Sequence, residues 1–595
     1  MMSTINLIID NKKVSVEKGQ TILDAAKKVN VRIPTLCHHE DLCVAGNCRI
    51  CVVEVEGHNT LSASCATPAD EGMVIKTNTP KVRNARKDVV ALLVSEHNTQ
   101  CTTCYRSMNC ELQELSAEYN IDNNRYLSVL KPDIEIDRSS WSIEKDDSKC
   151  VRCQRCVRTC AELQHVNALT VSGKGKDMKI STFMDLPLNE AVCTNCGQCV
   201  IHCPTGALTE RRYYDKVWEA IGNDKKHVVM NTAPSVRVAL GEMLGYPVGT
   251  RVTGKMVTAM KRLGVDSVLD TDFSADLTII EEGHELLQRL KKVIVDKDES
   301  VKLPMITSCS PGWVKFIEHI FPDHLGHLST CKSPQQMFGA LTKTYYAEKK
   351  GIDPKDIVSV AIMPCAAKKF EARRPEMKDS GYRDIDAGLT TRELGHMIKQ
   401  AGLDFTDLED GTYDSIMGES TGAGVIFGAT GGVMEAALRT AYEIVTGRDV
   451  PFDNLNVLPV RGMEGIREAT IKIENCLPEW SFLEGVELKV AIANGLINAR
   501  KIMDEVAAGK SPYHFIEVMA CPGGCIGGGG QPIPTNEEIR KKRIEAIYAE
   551  DMDKTIRKSH ENPEIIKIYK EFLKEPLGHI SHKLLHTTYK KRNRY

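Results

Sequence analysis

The chain has 595 residues, of which 42% are hydrophobic and 26% charged. Such a length exceeds what one hydrophobic core can serve, so we expect roughly three to five soluble domains. The 77 basic and 80 acidic residues leave a net charge of −3, which gives no reason to propose a nucleic acid or a membrane as a partner. The N-terminus shows no signal-sequence pattern, and the apolar run at residues 89–94 is too short to span a bilayer. We therefore expect a cytoplasmic protein.

The 22 cysteines indicate the chemical class of the chain. Many are separated by only two or three residues, a spacing that strains a disulfide but suits metal coordination. Thiols are also kept reduced in the cytosol. We interpret most of these cysteines as metal ligands.

Residues 1–80 alternate short apolar runs with turns, as a small β-grasp domain does. The predicted strands lie at residues 5–9, 14–16, 51–55 and 73–76, with a helix at 22–29. The cysteines of this domain are Cys37, Cys48, Cys51 and Cys65. Four thiolates from one long loop and one distant strand match a [2Fe–2S] site, and the segment resembles the ferredoxin domain of hydrogenases and of the complex I large iron–sulfur subunit. A zinc site is the alternative, although structural zinc favours paired, short-spaced knuckles.

A second candidate site lies in residues 81–125, after a helical run at residues 81–95. His97, Cys101, Cys104 and Cys110 form the pattern H-x3-C-x2-C-x5-C. Directly behind a [2Fe–2S] domain, this pattern resembles the [4Fe–4S] site with one histidine ligand of the same two families. Because a neutral imidazole replaces one thiolate, the cluster potential should be higher. A zinc site with the same ligand types is the alternative.

Residues 140–210 contain the same cysteine spacing twice. The two runs read C-x2-C-x2-C-x3-C and comprise Cys150, Cys153, Cys156 and Cys160, then Cys193, Cys196, Cys199 and Cys203. This repeat is typical of a ferredoxin with two [4Fe–4S] clusters, in which the fourth cysteine of each run binds the other cluster. Cys203 therefore joins the first three cysteines of the first run, and Cys160 joins those of the second.

From residue 211 the pattern changes to alternating helices and β-rich runs. The predicted strands lie at residues 227–230, 265–270, 292–295, 357–363 and 487–493. This alternation predicts an α/β domain over residues 211–530, in which the site lies at the ends of parallel strands. Residues 531–595 predict a charged helical tail packed around that domain. The whole chain is thus predicted to be a multidomain protein of mixed α/β and α+β class.

Three segments of the α/β domain carry a specific resemblance. They are TSCSPGW at residues 307–313, MPCAAKKFE at 363–371 and EVMACPGGCIGGGGQP at 517–532. Together they resemble the three signatures of [FeFe]-hydrogenases, of the catalytic subunit type found in multi-subunit NAD(P)-linked or electron-bifurcating enzymes. The resemblance implies an H-cluster, a [4Fe–4S] cubane joined through a cysteine sulfur to a two-iron unit with CO, cyanide and a bridging dithiolate. It implies Cys365, Cys521 and Cys525 as cubane ligands, with Cys525 as the bridge.

The first signature departs from the common form TSCCPxW at Ser310. In the family, the second cysteine binds the cubane and the first passes protons, and these positions are here Ser310 and Cys309. Either Cys309 binds the cubane and Ser310 relays protons, or Ser310 binds iron as an alkoxide and Cys309 is the proton donor. Ligand softness alone favours the first arrangement.

Further positions follow from the same resemblance. Residues expected around the two-iron unit are Ala233, Pro234, Ser235, Gln335, Met363, Lys368, Phe427 and Met519. Lys368 would act as a fixed cation toward a cyanide. Glu282, Glu285 and Ser329 would form the proton path. Cys43, Cys331 and Cys476 have no assigned role and are expected to be buried small hydrophobic residues.

The resemblance implies reversible oxidation of H₂ to protons and electrons. The expected cofactors are one [2Fe–2S] cluster, three accessory [4Fe–4S] clusters and one H-cluster. The extra clusters suggest a hetero-oligomer with flavin/NAD(P)-binding subunits, ferredoxin or another redox enzyme as the electron partner. Two alternatives stay open: a non-catalytic iron–sulfur assembly or sensor protein of the hydrogenase-like family, and a relative of the complex I large subunit.

Overall fold

A computed structural model describes residues 4–122, 126 and 135–593. The ends of three predicted domains, at residues 1–3, 123–125 and 594–595, lie outside these described residues.

The N-terminal sheet has the strand order β2-β1-β5-β3-β4. Its elements are β1 (Thr4–Ile9), β2 (Lys12–Glu17), α1 (Ile22–Lys28), β3 (Val52–Val55), β4 (Ser62–Ala63) and β5 (Val74–Lys76). Ile5, Leu7 and Ile9 alternate inward along β1, which is the two-residue period that puts one face of a strand in the core. Thr21 begins α1 with a capping box to Asp24. Because the chain between α1 and β3 has no regular structure, it can bring several cysteines to one point.

The next segment contains short elements between the cysteine runs. They are α2 (Pro80–Ser95), α3 (Glu111–Glu118), β6 (Ile143–Lys145), α4 (Arg155–Arg158), β7 (Thr170–Ser172), β8 (Lys179–Ser181), α5 (Gln198–Ile201) and β9 (Leu208–Glu210). The short helices α4 and α5 each lie within one cysteine run. Strands β6 and β9 pair antiparallel, so the two ends of the ferredoxin segment meet.

The α/β domain predicted over residues 211–530, called the catalytic segment below after its resemblance, contains two four-stranded sheets, with orders β11-β10-β13-β14 and β12-β17-β16-β15. The strands are β10 (His227–Thr232), β11 (Ser267–Asp270), β12 (Met305–Ile306), β13 (Ile357–Met363), β14 (Ala387–Thr390), β15 (Ile466–Lys472), β16 (Glu487–Asn494) and β17 (Phe515–Met519). All pairs are parallel except β15 with β16. Parallel strands end at the same edge, so the loops after β10, β12, β13 and β17 can converge on one site.

Helices cover both sheets. In the catalytic segment they are α6 (Tyr214–Ile221), α7 (Thr253–Arg262), α8 (Thr271–Ile294), α9 (Pro311–Ile320), α10 (Pro334–Leu341), α11 (Ala347–Lys350), α12 (Ala367–Glu371), α13 (Thr391–Gln400), α14 (Gly422–Ile426), α15 (Gly432–Thr446) and α16 (Leu496–Ala507). The predicted strand at residues 292–295 is wrong, because the chain there completes the last turn of α8. The buried residues Leu286, Leu287 and Leu290 continue the helical spacing to that end, and this packing overrides the β preference of the valines and isoleucine.

The tail consists of α17 (Glu537–Asp553), α18 (Pro563–Ile568) and α19 (His579–Leu585). It contacts both the α/β domain and the N-terminal domain. Arg543 donates to Glu242 of the catalytic segment, and Arg540 donates to both carboxylate oxygens of Asp41, at 2.7 and 2.8 Å. The tail therefore contacts the loop of the N-terminal domain directly.

Candidate active site

A buried cavity lies where four parallel strands end. Ala233 follows β10, Cys309 follows β12, Cys365 follows β13 and Cys521 follows β17. The cavity has a volume of about 80 Å³ for the centres of water-sized molecules. Because about 10–15 Å³ of such volume is enough for one water molecule, there is room for a group larger than a single metal ion.

Most of the predicted site residues line this cavity. They are Ala233, Pro234, Cys309, Ser310, Gln335, Met363, Cys365, Lys368, Phe427, Met519, Cys521 and Cys525. Ser235 is buried outside the lining, and its carbonyl accepts a hydrogen bond from Gln531 at 3.1 Å. The structure thus brings together the three signature segments.

The thiols of the cavity differ in their charged neighbours. Burial raises the pKa of Cys521, and the nearby Cys365 raises it further. Burial also raises the pKa of Cys525 to about 12, again with Cys365 as the main charged contributor. For Cys309, burial raises the pKa well above its usual value, but the main charged contributor is Glu282. Cys365, Cys521 and Cys525 therefore lie near one another, and Cys309 lies near both Glu282 and Cys525.

Lys368 is fixed by oxygen acceptors on both sides. Its ammonium donates to the Cys309 carbonyl at 3.0 Å and to Glu371 at 2.9 Å. Gln335 also donates to Glu371, at 3.2 Å, while its own amide oxygen has no hydrogen-bond partner among the described residues. Glu371 was missed in the sequence, although the i,i+3 spacing from Lys368 was the available signal.

A row of polar side chains leads away from Cys309. Burial and the neighbouring Glu285 raise the pKa of Glu282 to about 8. Ser329 donates to Glu285 at 2.9 Å, and Arg289 donates to the other oxygen of Glu285 at 2.6 Å. Arg289, which sequence reasoning missed, also reaches the exposed carbonyl of Gly326. Ser329, Glu285 and Arg289 therefore form a hydrogen-bonded row that reaches the surface, and Glu282 lies near both this row and Cys309.

The four cysteines of the N-terminal domain lie together. The Cys51 and Cys65 sulfurs are 3.3 Å apart, and the Cys37 amide donates to the Cys48 sulfur at 3.4 Å. The Cys37 carbonyl accepts a hydrogen bond from Arg158 in α4. This candidate cluster site is thus attached to the ferredoxin segment.

His97 belongs to the next group, whose four members are all half-buried. Burial lowers the pKa of His97 to about 4, and its Nδ1 atom has no hydrogen-bond partner among the described residues. Cys101 and Cys104 lie at the two ends of one short turn, and Cys110 begins α3. A neutral imidazole with a buried, unpartnered nitrogen is suited to metal binding.

The eight ferredoxin cysteines interact across the two runs. Burial is the main cause that raises the pKa of Cys150, Cys153 and Cys160. Beyond burial, Cys203 raises the pKa of both Cys150 and Cys153, while Cys193 raises that of Cys160. The fourth cysteine of each run therefore lies beside the other run.

The second of these groups lies next to the cavity. After burial and the neighbouring Cys365, Cys196 is the next group that raises the pKa of Cys521. A cluster at the second group would therefore be the accessory cluster nearest to the cavity thiols.

Two of the three unassigned cysteines are not buried, contrary to the prediction. Cys331 is buried as expected, but Cys43 is exposed and its thiol donates to Glu162 at 2.7 Å. Cys476 is half-buried, with its amide donating to Glu484. The Cys43 thiol is held by this polar contact, whereas the Cys476 side chain packs at the edge of a hydrophobic core.

The fold and the cysteine groups define a multi-cluster iron–sulfur oxidoreductase with a buried catalytic cavity. Residues 226–529 match the family described as iron only hydrogenase large subunit, C-terminal domain, and residues 537–592 match iron hydrogenase small subunit. Residues 2–80 match a 2Fe-2S iron-sulfur cluster binding domain, 86–125 the NADH-ubiquinone oxidoreductase-G iron-sulfur binding region, and 141–209 the ferredoxin-like domain of NADH-quinone oxidoreductase subunit 3. The chain belongs to the iron-only, or [FeFe], hydrogenase family.

Individual relatives support this assignment. The chain is 50% identical to the NADP-reducing hydrogenase subunit HndD of Solidesulfovibrio fructosivorans, with 100% of each chain covered. It is 39% identical to iron hydrogenase 1 of Clostridium pasteurianum, over 98% of this chain and 100% of that one. Among solved structures, the apo [FeFe]-hydrogenase HydA1 from Chlamydomonas reinhardtii matches with a TM-score of 0.57 and 44% identity, over 64% of this chain and 99% of that one. The predicted family and fold class are confirmed. Among the described residues, no helix is both long and apolar enough to cross a membrane.

Proposed function

We propose that this chain catalyses the reversible oxidation of hydrogen, H₂ ⇌ 2H⁺ + 2e⁻, at an H-cluster bound in the cavity. The observation that carries the proposal is the convergence of Cys365, Cys521 and Cys525 on one buried space, with a polar row leading from it to the surface. A non-catalytic assembly factor needs neither a proton path nor a fixed lysine beside the cavity. These two features favour the enzyme.

The residues of the cavity fit such a cofactor. Thiols whose pKa is raised by burial ionise only when a positive partner compensates the charge, and iron is such a partner. The unpaired amide oxygen of Gln335 and the ammonium of Lys368 offer polar contacts in an otherwise apolar lining. When bound, the H-cluster supplies the redox-active iron for splitting or forming the H–H bond. The protein excludes water, fixes Lys368 and moves protons.

For the first signature we propose the second arrangement, with Cys309 as proton donor and Ser310 in the ligand position. Two observations support it. The main charged neighbour of Cys309 is Glu282, as a proton relay requires. Ser310 begins α9, yet its hydroxyl accepts no capping hydrogen bond from the described helix, so its oxygen remains available to the cavity that it lines.

Proton movement then follows the polar row. The Cys309 thiol exchanges a proton with Glu282, which passes it through the Ser329 hydroxyl to Glu285 beside Arg289. A pKa of about 8 keeps Glu282 protonated at neutral pH while allowing it to release the proton readily. The Ser329 hydroxyl and the Glu285 carboxylate lie at hydrogen-bond distance, which suits the last of these transfers.

The contacts between segments also suggest the electron route. Arg158 joins the [2Fe–2S] loop to the first ferredoxin run, and Arg106 beside Cys104 donates to the Cys203 carbonyl at 3.3 Å. We propose that both front clusters exchange electrons with the cluster of Cys150, Cys153, Cys156 and Cys203. The cluster of Cys193, Cys196, Cys199 and Cys160 then serves the cavity, because Cys196 lies beside Cys521. This inventory gives one [2Fe–2S], three accessory [4Fe–4S] clusters and one H-cluster.

We further propose that the chain is one subunit of a cytoplasmic hetero-oligomer with a flavin/NAD(P)-binding partner. One support is the name of the full-length relative, an NADP-reducing hydrogenase subunit. The other is the presence of two N-terminal cluster sites, the [2Fe–2S] site and the His97 site, through which electrons could enter or leave.

Infrared spectroscopy of the anaerobically matured protein tests the function. CO and cyanide stretching bands, together with hydrogen–deuterium exchange from D₂ into water, are expected. A Cys365→Ala protein prepared identically is the matched control and should lack both signals. A protein replete in accessory clusters that shows neither signal would be a non-catalytic relative.

A further inference from the structure

An exposed aromatic side chain between arginines lies on the surface shared by the ferredoxin and catalytic segments. Trp141 is 43% exposed. The guanidinium carbons of Arg211 and Arg373 lie 5.3 and 5.5 Å from its ring centroid. Arg383 lies close to Arg373. After burial, the charge of Arg383 is the main cause that lowers the pKa of Arg373. We call Trp141, Arg211, Arg373 and Arg383 the Trp141 patch.

In the part of the chain that the structure describes, no carboxylate forms an ion pair with an arginine of the patch. Arg211 donates to the carbonyls of Arg138 and Ser140, Arg373 to that of Asp386, and Arg383 to that of Ala372. The carboxylate that acts on Arg373 belongs to Asp386, and it is already paired with Lys343 at 2.8 Å. Other arginines of the chain have carboxylate partners of their own: Arg155 with Glu111, Arg392 with Glu210 and Arg540 with Asp41. The patch therefore attracts an external anionic surface.

The patch lies close to a cluster site. Ser140, next to Trp141, donates to the Asn195 side chain at 2.9 Å. The Asn195 amide donates to the Cys193 sulfur at 3.4 Å. One peptide unit and two hydrogen bonds thus connect the exposed ring to a ligand of the cluster proposed to serve the cavity.

We propose that the Trp141 patch docks a small acidic one-electron carrier protein of the ferredoxin type. The carrier exchanges electrons directly with the cluster of Cys193, Cys196, Cys199 and Cys160. This route does not pass through the [2Fe–2S] site or the His97 site. This inference rests on the proposed function. Oxidation of one H₂ releases two protons to the polar row and two electrons, and each electron reduces one carrier in a separate encounter. A nicotinamide nucleotide does not fit this place, because it accepts a hydride and an iron–sulfur cluster passes single electrons.

Steady-state kinetics with an acidic bacterial 2[4Fe–4S] ferredoxin tests the docking. The Arg373→Gln/Arg383→Gln double variant should raise the ferredoxin KM roughly tenfold and weaken its salt dependence, since long-range attraction governs the encounter. Hydrogen–deuterium exchange and methyl viologen reduction should be unchanged. Trp141→Ala, which leaves all charges in place, should also raise the KM.

Arg448→Gln is the matched control, because Arg448 is an exposed arginine whose guanidinium also donates to a backbone carbonyl. An equal KM in the wild-type and double-variant enzymes, or an equal rise in Arg448→Gln, would overturn the docking proposal. The affinity for the ferredoxin, measured directly without turnover at several salt concentrations, tests the docking independently of activity. This measurement is informative even if the parent protein shows no hydrogen–deuterium exchange. Loss of exchange in the parent would contradict the proposed function instead.

Discussion

The accessory cluster sites of residues 1–210 and the catalytic cavity position their cysteines in different ways. In the ferredoxin segment, Cys150, Cys153 and Cys156 come from one short run beside α4. In the cavity, Cys365 and Cys521 follow different strands of two separate sheets. A local run specifies a cluster by spacing alone, whereas the cavity exists only after both sheets have formed. Loss of a ligand should therefore affect electron supply at the front and all hydrogen chemistry at the cavity.

The strongest test of this contrast is Cys525→Ser. If Cys525 bridges the cubane and the two-iron unit, hydrogen–deuterium exchange should be abolished while EPR still shows reducible accessory clusters. Cys476→Ser is the matched control, because Cys476 lies outside the cavity lining. Exchange that persists in Cys525→Ser would contradict the assignment of the bridge.

Cys309→Ala distinguishes the two roles of the first signature. With Cys309 as the proton donor, the variant should keep its iron and its CO and cyanide bands, but turn over about 10²–10⁴-fold more slowly. With Cys309 as the cubane ligand, the variant would be short of iron as well as inactive.

Ser310→Cys is the reciprocal change and restores the common form of the motif. With Ser310 in the ligand position, cluster retention should improve without a change in the pH profile. A shifted pH profile with unchanged iron content would place Ser310 in the proton path.

Glu282→Gln should slow hydrogen evolution by about 10²-fold, because Glu282 lies one proton transfer further from the cavity than Cys309. In the wild-type enzyme, activity should fall as the pH rises through about 8, where Glu282 loses its proton. The free energy of unfolding is expected to fall over the same rise in pH. The pKa is raised from 4.5 to about 8, so the folded state binds more protons in this window and stability falls as pH rises across it.

The stability trend should be weaker in Glu282→Gln, measured by denaturant unfolding between about pH 5 and 9. The exposed Glu299 offers a matched control, and Glu299→Gln should leave both the activity and the stability profile unchanged. If the activity of Glu282→Gln still fell with pH above about 8 as in the wild-type enzyme, Glu282 would not be part of the proton path.

The smallest effect is expected at the His97 cluster site. His97→Cys adds a thiolate and should lower the potential of that cluster in an EPR-monitored redox titration. Methyl viologen reduction should continue, since dye can exchange electrons at another cluster. Zinc instead of iron at this site would contradict the interpretation of residues 97–110.

The same contrast explains what the sequence could reveal. The front ligands were predictable because spacing and chemistry lie in one segment, as in the repeated cysteine runs. The cavity was predictable only through resemblance, since nothing local connects Cys309 with Glu282. The limits of the predicted domains and the roles of the site residues stay predictions.

Other features depend on packing that no local pattern encodes. The predicted strand at residues 292–295 failed because the core spacing of α8 continues through it. Glu371 was missed because its partner Lys368 was interpreted as facing a ligand. Cys43 was expected to be buried, but a carboxylate from another segment, Glu162, holds its thiol at the surface.

The ion pair between Arg540 and Asp41 joins residues that are 499 positions apart. During synthesis, the N-terminal domain leaves the ribosome long before α17 is made. Domains that emerge first generally fold first, so the N-terminal domain folds while the helix that anchors its cysteine loop is still missing. Only completion of the tail fixes the first-made domain against the last-made helix, and a prematurely terminated chain cannot reach this arrangement.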